Sequence, residues 1–156
     1  MASKVLIAVL GDLSEICIFM RLKYKLCQPW SDDFLRSWVR WYVDQGFCAI
    51  ARESIPVYDK RIVFGHIQAL LLGRPIKDIQ DVFNETYAVD REGDIYFIDI
   101  VIMDDNRLGW FLKDAMVESV GMKNYIAFTR DHGKMERVRK YPIHKLLHYY
   151  EPHLRR

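Results

Sequence analysis

A carboxylate sits inside the most apolar stretch of this chain. Asp99 interrupts the run Ile95–Met103 (IYFIDIVIM). Burying it unpaired would be costly, so it needs a partner or a raised pKa. It can act as a general base, or as the orienter of one; it can equally be a structural carboxylate bonded to backbone or to an arginine. His66, beside Gly65 in the run 61–72, is a second candidate. It can act as a general base or sit as a satisfied residue of a sheet. Glu53 and Glu92 fall at strand margins, and the sequence does not choose between them. His144 and His148 stand at i and i+4 on a short helix or tail, a spacing that can ligate zinc. No third ligand accompanies them, so a solvated face is the simpler account and no metal is expected.

The elements that must position these groups are legible around residues 94–120. Tyr96, Ile98, Ile100 and Ile102 alternate with Ile95, Phe97, Val101 and Met103, with Asp99 among the latter. Both faces are apolar, which predicts a central strand covered on both sides. Asp104, Asp105 and Asn106 can cap a helix whose stripe runs Leu108, Phe111, Leu112, Ala115, Met116, Ser119 and Val120, stopped by Gly121. The expected helix has about four turns. A strand leading directly into a capped helix N-terminus aims amides and the positive dipole end at the turn, a ready-made anion site.

Before this unit the expected order is a strand at 4–10, a helix at 13–27 ended by Gln28-Pro29, and a helix capped by Ser31 and ended by Gly46. That second helix carries an aromatic face: Phe34, Trp38, Trp41 and Tyr42. Its rings read as core, with Trp41 slightly off the stripe. A strand at 47–52, a turn at 53–60 and an antiparallel strand at 61–72 follow, with Gly65 marking a bulge or close approach. Gly73-Arg74-Pro75 is expected to break the chain, and residues 76–83 to hold a short helix. Strands at 125–130 and 137–142 close the order, the first joined to the central strand by a βαβ-type unit.

A chain of 156 residues with 51% hydrophobic and 13% aromatic residues is a single globular α/β domain, 1–156. Cys17, Cys27 and Cys48 lack metal spacing and read as reduced core residues. The run Val5–Leu10 is too short to span a membrane, so a cytoplasmic protein is expected. A formal charge of +2 makes nucleic acid an unexpected partner. Positive charge gathers from about residue 130, where the 134–140 run (KMERVRK) with Tyr141 makes a local patch suited to phosphate or an acidic partner.

The element order, over roughly residues 4–147, resembles the GNAT superfamily of acyl-CoA-dependent N-acyltransferases. That resemblance implies a mixed sheet, antiparallel in front, with a central β-turn-α unit and splayed parallel strands. In GNAT proteins the turn after the central strand carries Gln/Arg-x-x-Gly-x-Gly/Ala, whose amides hold the pyrophosphate of coenzyme A. The matching residues are Asp104-Asp105-Asn106-Arg107-Leu108-Gly109, with Leu112 following. Gly109 is kept. Asp104 replaces the Gln/Arg, and Arg107 replaces the first glycine, where its side chain either crowds the pyrophosphate or binds it. The resemblance implies a cofactor loop of Asn106, Arg107, Leu108, Gly109 and Trp110, and a thioester oxygen polarised by a backbone N–H near Met103. It places Tyr141 where these proteins have a tyrosine acid, and Thr129-Arg130 among further contacts. Asp99, His66 or a Glu-bound water would take the amine proton. Gly93-Asp94 with Phe97-Ile98-Asp99 is also similar to the toxin-activating acyltransferases. Those pair the matching aspartate with a histidine from the N-terminal helical region. No histidine precedes His66 here, so that activity is not carried over.

Two functions follow as expectations. The first is an acetyl-CoA-dependent N-acetyltransferase acting on an amine of a small molecule or protein. The second is a GNAT-fold protein without catalysis, serving as an interaction or structural component with a protein partner, similar to phage proteins of this compact kind, including virion-associated ones. The departures at Asp104 and Arg107 favour the second.

Overall fold

The computed structural model describes residues 2–58, 61–85, 87–103, 110–129 and 138–145. Six strands form one sheet in chain order: β1 (Ala2–Ile7), β2 (Cys48–Pro56), β3 (Ile62–Ile76), β4 (Ile95–Met103), β5 (Tyr125–Thr129) and β6 (Val138–Pro142). Every neighbouring pair is antiparallel except β4 and β5. Helices α1 (Leu13–Lys23) and α2 (Asp32–Gln45) precede β2; α3 (Asp81–Asn84) precedes β4; α4 (Trp110–Val120) makes the crossover to β5. This is the mixed α/β architecture, antiparallel in front with one parallel join, that the sequence implied.

Local signals explain the two main helices. Ser31 caps α2 by accepting from the Phe34 amide at 3.1 Å, with Asp32 and Asp33 in the first turn. Loss of that cap costs about 1 kcal/mol. Gly46 ends α2 at φ 78° and Gly121 follows α4 at φ 82°, both in the left-handed region that glycine enters freely. The sheet is covered on both faces. Leu35, Val39, Tyr42 and Val43 of α2 and Ile16 and Met20 of α1 pack on one side, over Ile50, Leu70, Leu72 and Ile100. Phe111, Leu112, Ala115 and Met116 of α4 pack on the other, over Ala49, Leu71, Tyr96 and Ile98.

Several boundaries differ from the sequence expectation, each for a physical reason. The first strand ends at Ile7, not Leu10, because a short 3₁₀ turn at Leu10–Asp12 opens α1. The first helix ends at Lys23, not Cys27; the Arg21 guanidinium then holds the carbonyls of Cys27 and Trp30 and ties down the link to α2. β2 runs on to Pro56, past the expected turn at 53. β3 continues through Gly73-Arg74-Pro75, which does not break it. Gly73 is required because the Tyr96 ring fills the place a side chain would take: a Cβ would lie 2.5 Å from its Cζ. Pro75 is tolerated because β2 has already ended at that level, so no ladder bond needs its missing N–H. The bulge expected near Gly65 is present: the β2–β3 register shifts between Arg52 and Ser54, opposite the stretch that holds Gly65.

A bulge between β3 and β4 was not foreseen. Gly73 pairs with Ile98 and Leu72 with Ile100, which leaves Asp99 as the extra residue on β4. One inserted residue reverses the alternation downstream. Ile100 and Ile102 therefore join the α1/α2 face, while Met103 joins Tyr96 and Ile98 on the α4 face. The assignment of Ile100 and Ile102 to the face of Tyr96 and Ile98 is corrected accordingly.

Candidate functional site at the β4–β5 divergence

The bulge coincides with the point where the sheet opens. β4 and β5 pair from Ile95↔Tyr125 to Ile98↔Phe128, and there the ladder stops while β4 runs on to Met103. A bulge bends its strand and increases its twist, which turns β4 away from its parallel neighbour. Asp99 occupies the vertex of this divergence.

Its surroundings are specific. The Tyr42 hydroxyl donates to Asp99 Oδ2. Arg74 Nη1 donates to the same oxygen at 2.7 Å and to the Tyr42 hydroxyl at 2.9 Å, while Arg74 Nε donates to the Ala88 carbonyl at 2.9 Å. The Arg74 guanidinium also lies 5.2 Å from the Phe97 ring centroid. Tyr42 is fully buried, the Arg74 side chain is 4% exposed, and the Asp99 side chain is 19% exposed. Arg74 thus lies deeper than Asp99, and both are largely withdrawn from solvent. Burial pushes the Asp99 carboxyl well above the usual carboxylate range. Burial lowers Arg74 to about 10, which leaves it protonated at neutral pH.

The other candidates fall in different places. Met103 and Trp110 pack against the α4-side core, and so does Phe128. Tyr141 pairs with Ile126 and stacks on Phe128, with centroids 5.2 Å apart and planes at 20°. These four residues gather on the α4 face around the divergence, while Asp99 serves the α2 face. Asn106, Arg107, Leu108 and Gly109 lie outside the described residues, as do Asp104 and Asp105. His66 is exposed and stands beyond the end of β4, since Met103 pairs with Ala69. Six residues of strand separate it from the level of Asp99, roughly 20 Å, so the structure does not bring the two together. Glu53 lies under Gly65, and the Glu92 amide donates to Asp90 in an exposed turn. His144 is exposed, and His148 lies outside the described residues. Among the described residues no cluster of His, Cys, Asp or Glu fits a metal ion. No described helix is long and apolar enough to cross a membrane.

Two residues of the site were missed from the sequence. Tyr42 looked like one more ring on an aromatic helix face, and Arg74 looked like part of a chain break. The available signal was the need of Asp99 itself: a carboxylate on a buried strand calls for a hydrogen-bonding or cationic partner on a neighbouring element. Arg74, two positions beyond the expected end of that strand at residue 72, becomes that partner only once β3 is known to continue.

No family model matches the chain, and no curated protein matches it either. Solved structures do. The GNAT-like decarboxylase GphF in complex with isobutyryl-CoA aligns with a TM-score of 0.54 at 11% identity, over 85% of this chain and 70% of its own. A GNAT-family acetyltransferase from Listeria monocytogenes aligns with a TM-score of 0.52 at 14% identity, over 95% of this chain and 84% of its own. At such identities the likeness speaks for the fold: the six-stranded mixed sheet with its β4-α4-β5 crossover is the GNAT fold.

Proposed function

We propose that this protein is an acyl-CoA-dependent N-acyltransferase, with acetyl-CoA as donor and an amine of a small molecule or protein as acceptor. The observation that carries the reading is the vertex: β4 leaves β5 at Ile98, and the next residue is a partly exposed carboxylate. The divergence suits a chain-like thioester donor. Its β4 edge from Asp99 to Met103 has no β5 partner, and Met103, Trp110 and Phe128 offer apolar contact there. GphF, of similar fold, was crystallised with an acyl-CoA. In this reading Asn106, Arg107, Leu108 and Gly109 with Trp110 hold the pyrophosphate at the start of α4.

Acetyl-CoA would supply an acyl group to the acceptor nitrogen, a C–N bond forming as the C–S bond breaks and the sulfur leaves as a thiolate. The residues of this chain supply the proton chemistry. Asp99 takes a proton from the acceptor ammonium, and its raised pKa makes it a stronger base than an ordinary aspartate. Arg74 and Tyr42 hold one of its oxygens and leave the side chain in one orientation. The Met103 amide polarises the acyl oxygen, and Tyr141 on the α4 face gives a proton to the departing thiolate, which becomes the free thiol. His66 stands too far from Asp99 to share that work, and serves a separate part of the surface.

One observation favours the second reading, a non-catalytic interaction or structural component, virion-associated or otherwise. Asp99 Oδ2 is satisfied by Arg74 and Tyr42, as a purely structural carboxylate would be. Calorimetry with acetyl-CoA separates the two. Micromolar binding that Arg107→Glu abolishes supports the donor site; no binding at millimolar acetyl-CoA removes the transferase reading and leaves the scaffold.

A further inference from the structure

The outer side of the helix pair carries a feature that the strand divergence does not use. A cleft of about 380 Å³ opens between α1 and the first turns of α2. That volume falls in the usual range of small-molecule sites, roughly 300–1,000 Å³. Its apolar walls are Cys17, Ile18 and Leu22 of α1 and Leu35 of α2. Leu35 is buried, while Ile18 is 61% and Leu22 76% exposed. Ser14, Ile18 and Leu22 stand at i, i+4 and i+8, one stripe of α1. The residues of that helix that enter the core are Leu13, Ile16, Phe19 and Met20. Core packing therefore does not account for the stripe. Single exposed leucines are ordinary, but Ile18 and Leu22 are neighbours and line one concave surface.

The polar groups of the cleft are Ser14, Arg21, Asp32 and Arg36. Arg21 is committed: it donates to the carbonyls of Cys27, Gln28 and Trp30 and pairs with Asp32 at 3.0 Å. That pair also neutralises Asp32. Arg36 differs. Its Nη1 donates to the Ser14 hydroxyl at 3.1 Å, across the gap between the helices. Among the described residues it meets no carboxylate, and its Nε–Nη2 edge stays open. The Ser14 hydroxyl accepts from Arg36 and still has its own proton to give. The cleft thus holds one uncompensated positive charge beside apolar walls. A planar guanidinium edge matches the two oxygens of a carboxylate. One negative charge balances it, whereas a dianion would leave a charge facing Asp32.

We propose that this cleft binds a small carboxylic acid with an apolar tail, its carboxylate at Arg36 and Ser14 and its tail along Ile18, Leu22 and Leu35. The site is separate from the acyltransferase reading. It uses the first turns of α2 and the outer stripe of α1, whereas Tyr42 meets Asp99 from the C-terminal half of α2. A ligand held by both helices ties them together on the outside, as Arg21 does through the chain that links them, and binding to the folded state alone raises the melting temperature.

The test titrates the full chain with octanoate by calorimetry, beside 1-octanol, which lacks the charge, and octylamine, which reverses it. Octanoate is expected to bind at least about tenfold more tightly than either. The place of binding is read at Cys17, the half-buried thiol of the cleft, since Cys27 and Cys48 are buried. Octanoate is expected to slow alkylation of Cys17 by iodoacetamide, followed by mass spectrometry. Arg36→Gln is expected to bring acid and alcohol to equal affinity, and Ile18→Asp to abolish octanoate binding. Both positions are exposed, so neither change disturbs the core. No binding at millimolar octanoate, or equal binding of acid and alcohol, overturns the proposal. So does binding that leaves Cys17 unprotected, ignores Arg36→Gln or is displaced by acetyl-CoA. Dimerisation that Ile18→Asp abolishes, without octanoate binding, assigns the stripe to a second copy and overturns it too.

Discussion

Two arginines on neighbouring strands are each tied to carboxylates, and they come out electrostatically opposite. Arg52 on β2 grips Glu15 through both terminal nitrogens at 2.8 and 2.6 Å, reaches Asp12 at 3.2 Å, and donates to the Gly65 carbonyl at 2.9 Å. Arg74 on β3 holds Asp99 at 2.7 Å. Glu15 sits on the start of α1 with 41% of its side chain exposed, and the Arg52 hydrogen bonds hold its carboxyl below the usual range. Asp99 sits on a buried strand, where loss of water outweighs its partners and its carboxyl rises. The same pair of residue types is a clip in one place and a poised acid–base group in the other. Solvent access to the carboxylate decides which.

The largest effect expected from this contrast is at Arg74. Arg74→Leu leaves Asp99 buried without its cation and should cost about 3–5 kcal/mol in urea unfolding. The double change Arg74→Leu with Asp99→Leu should recover most of that loss, because no orphaned charge remains. Equal losses in the single and double variants would show that Arg74 acts through packing, and the contrast would fail. Arg52→Leu should cost less, about 1–2 kcal/mol, because Asp12 and Glu15 can rehydrate while only the Gly65 carbonyl loses a charged donor. The smallest effect concerns pH. The Glu15 carboxyl is depressed in the folded state, so its contribution is present above its unfolded pKa, about 4.3. It drains as pH falls through the lower folded value. Urea midpoints of Glu15→Gln should therefore decline less steeply in acid than those of the parent. The Asp99 carboxyl is raised, so its contribution is present in acid and is lost as pH climbs from about 3.9 through its higher folded value. Asp99→Asn should flatten that limb instead. Parallel changes in both variants would dissolve the distinction.

The two sites were unequally legible. β4 and α4 showed themselves in apolar periodicity and in Gly121, and α2 in Ser31 and Gly46, because caps and amphipathic stripes are local properties. Asp99 was conspicuous as one charge in an apolar strand. Its neighbours were not, because β3 was expected to stop before Arg74. Proline and glycine are strong local breakers. They were overruled here by the Tyr96 ring, which fills the space above Gly73, and by the ending of β2, which frees Pro75 from donating. The bulge was equally hidden. Nothing in IYFIDIVIM says that one residue will be left unpaired, since a bulge is a relation between two strands.

The sequence by itself determined the element types, their order, the α/β class and the presence of one carboxylate that had to be satisfied, because burial period, capping and turn residues act over a few positions. Only the tertiary structure decided what that carboxylate became. The pairing of β3 with β4 brought Arg74 to it, the packing of α2 brought Tyr42, and the bulge placed it where β4 parts from β5. Register and solvent access belong to strands and helices in contact, and a pKa follows solvent access more than residue type.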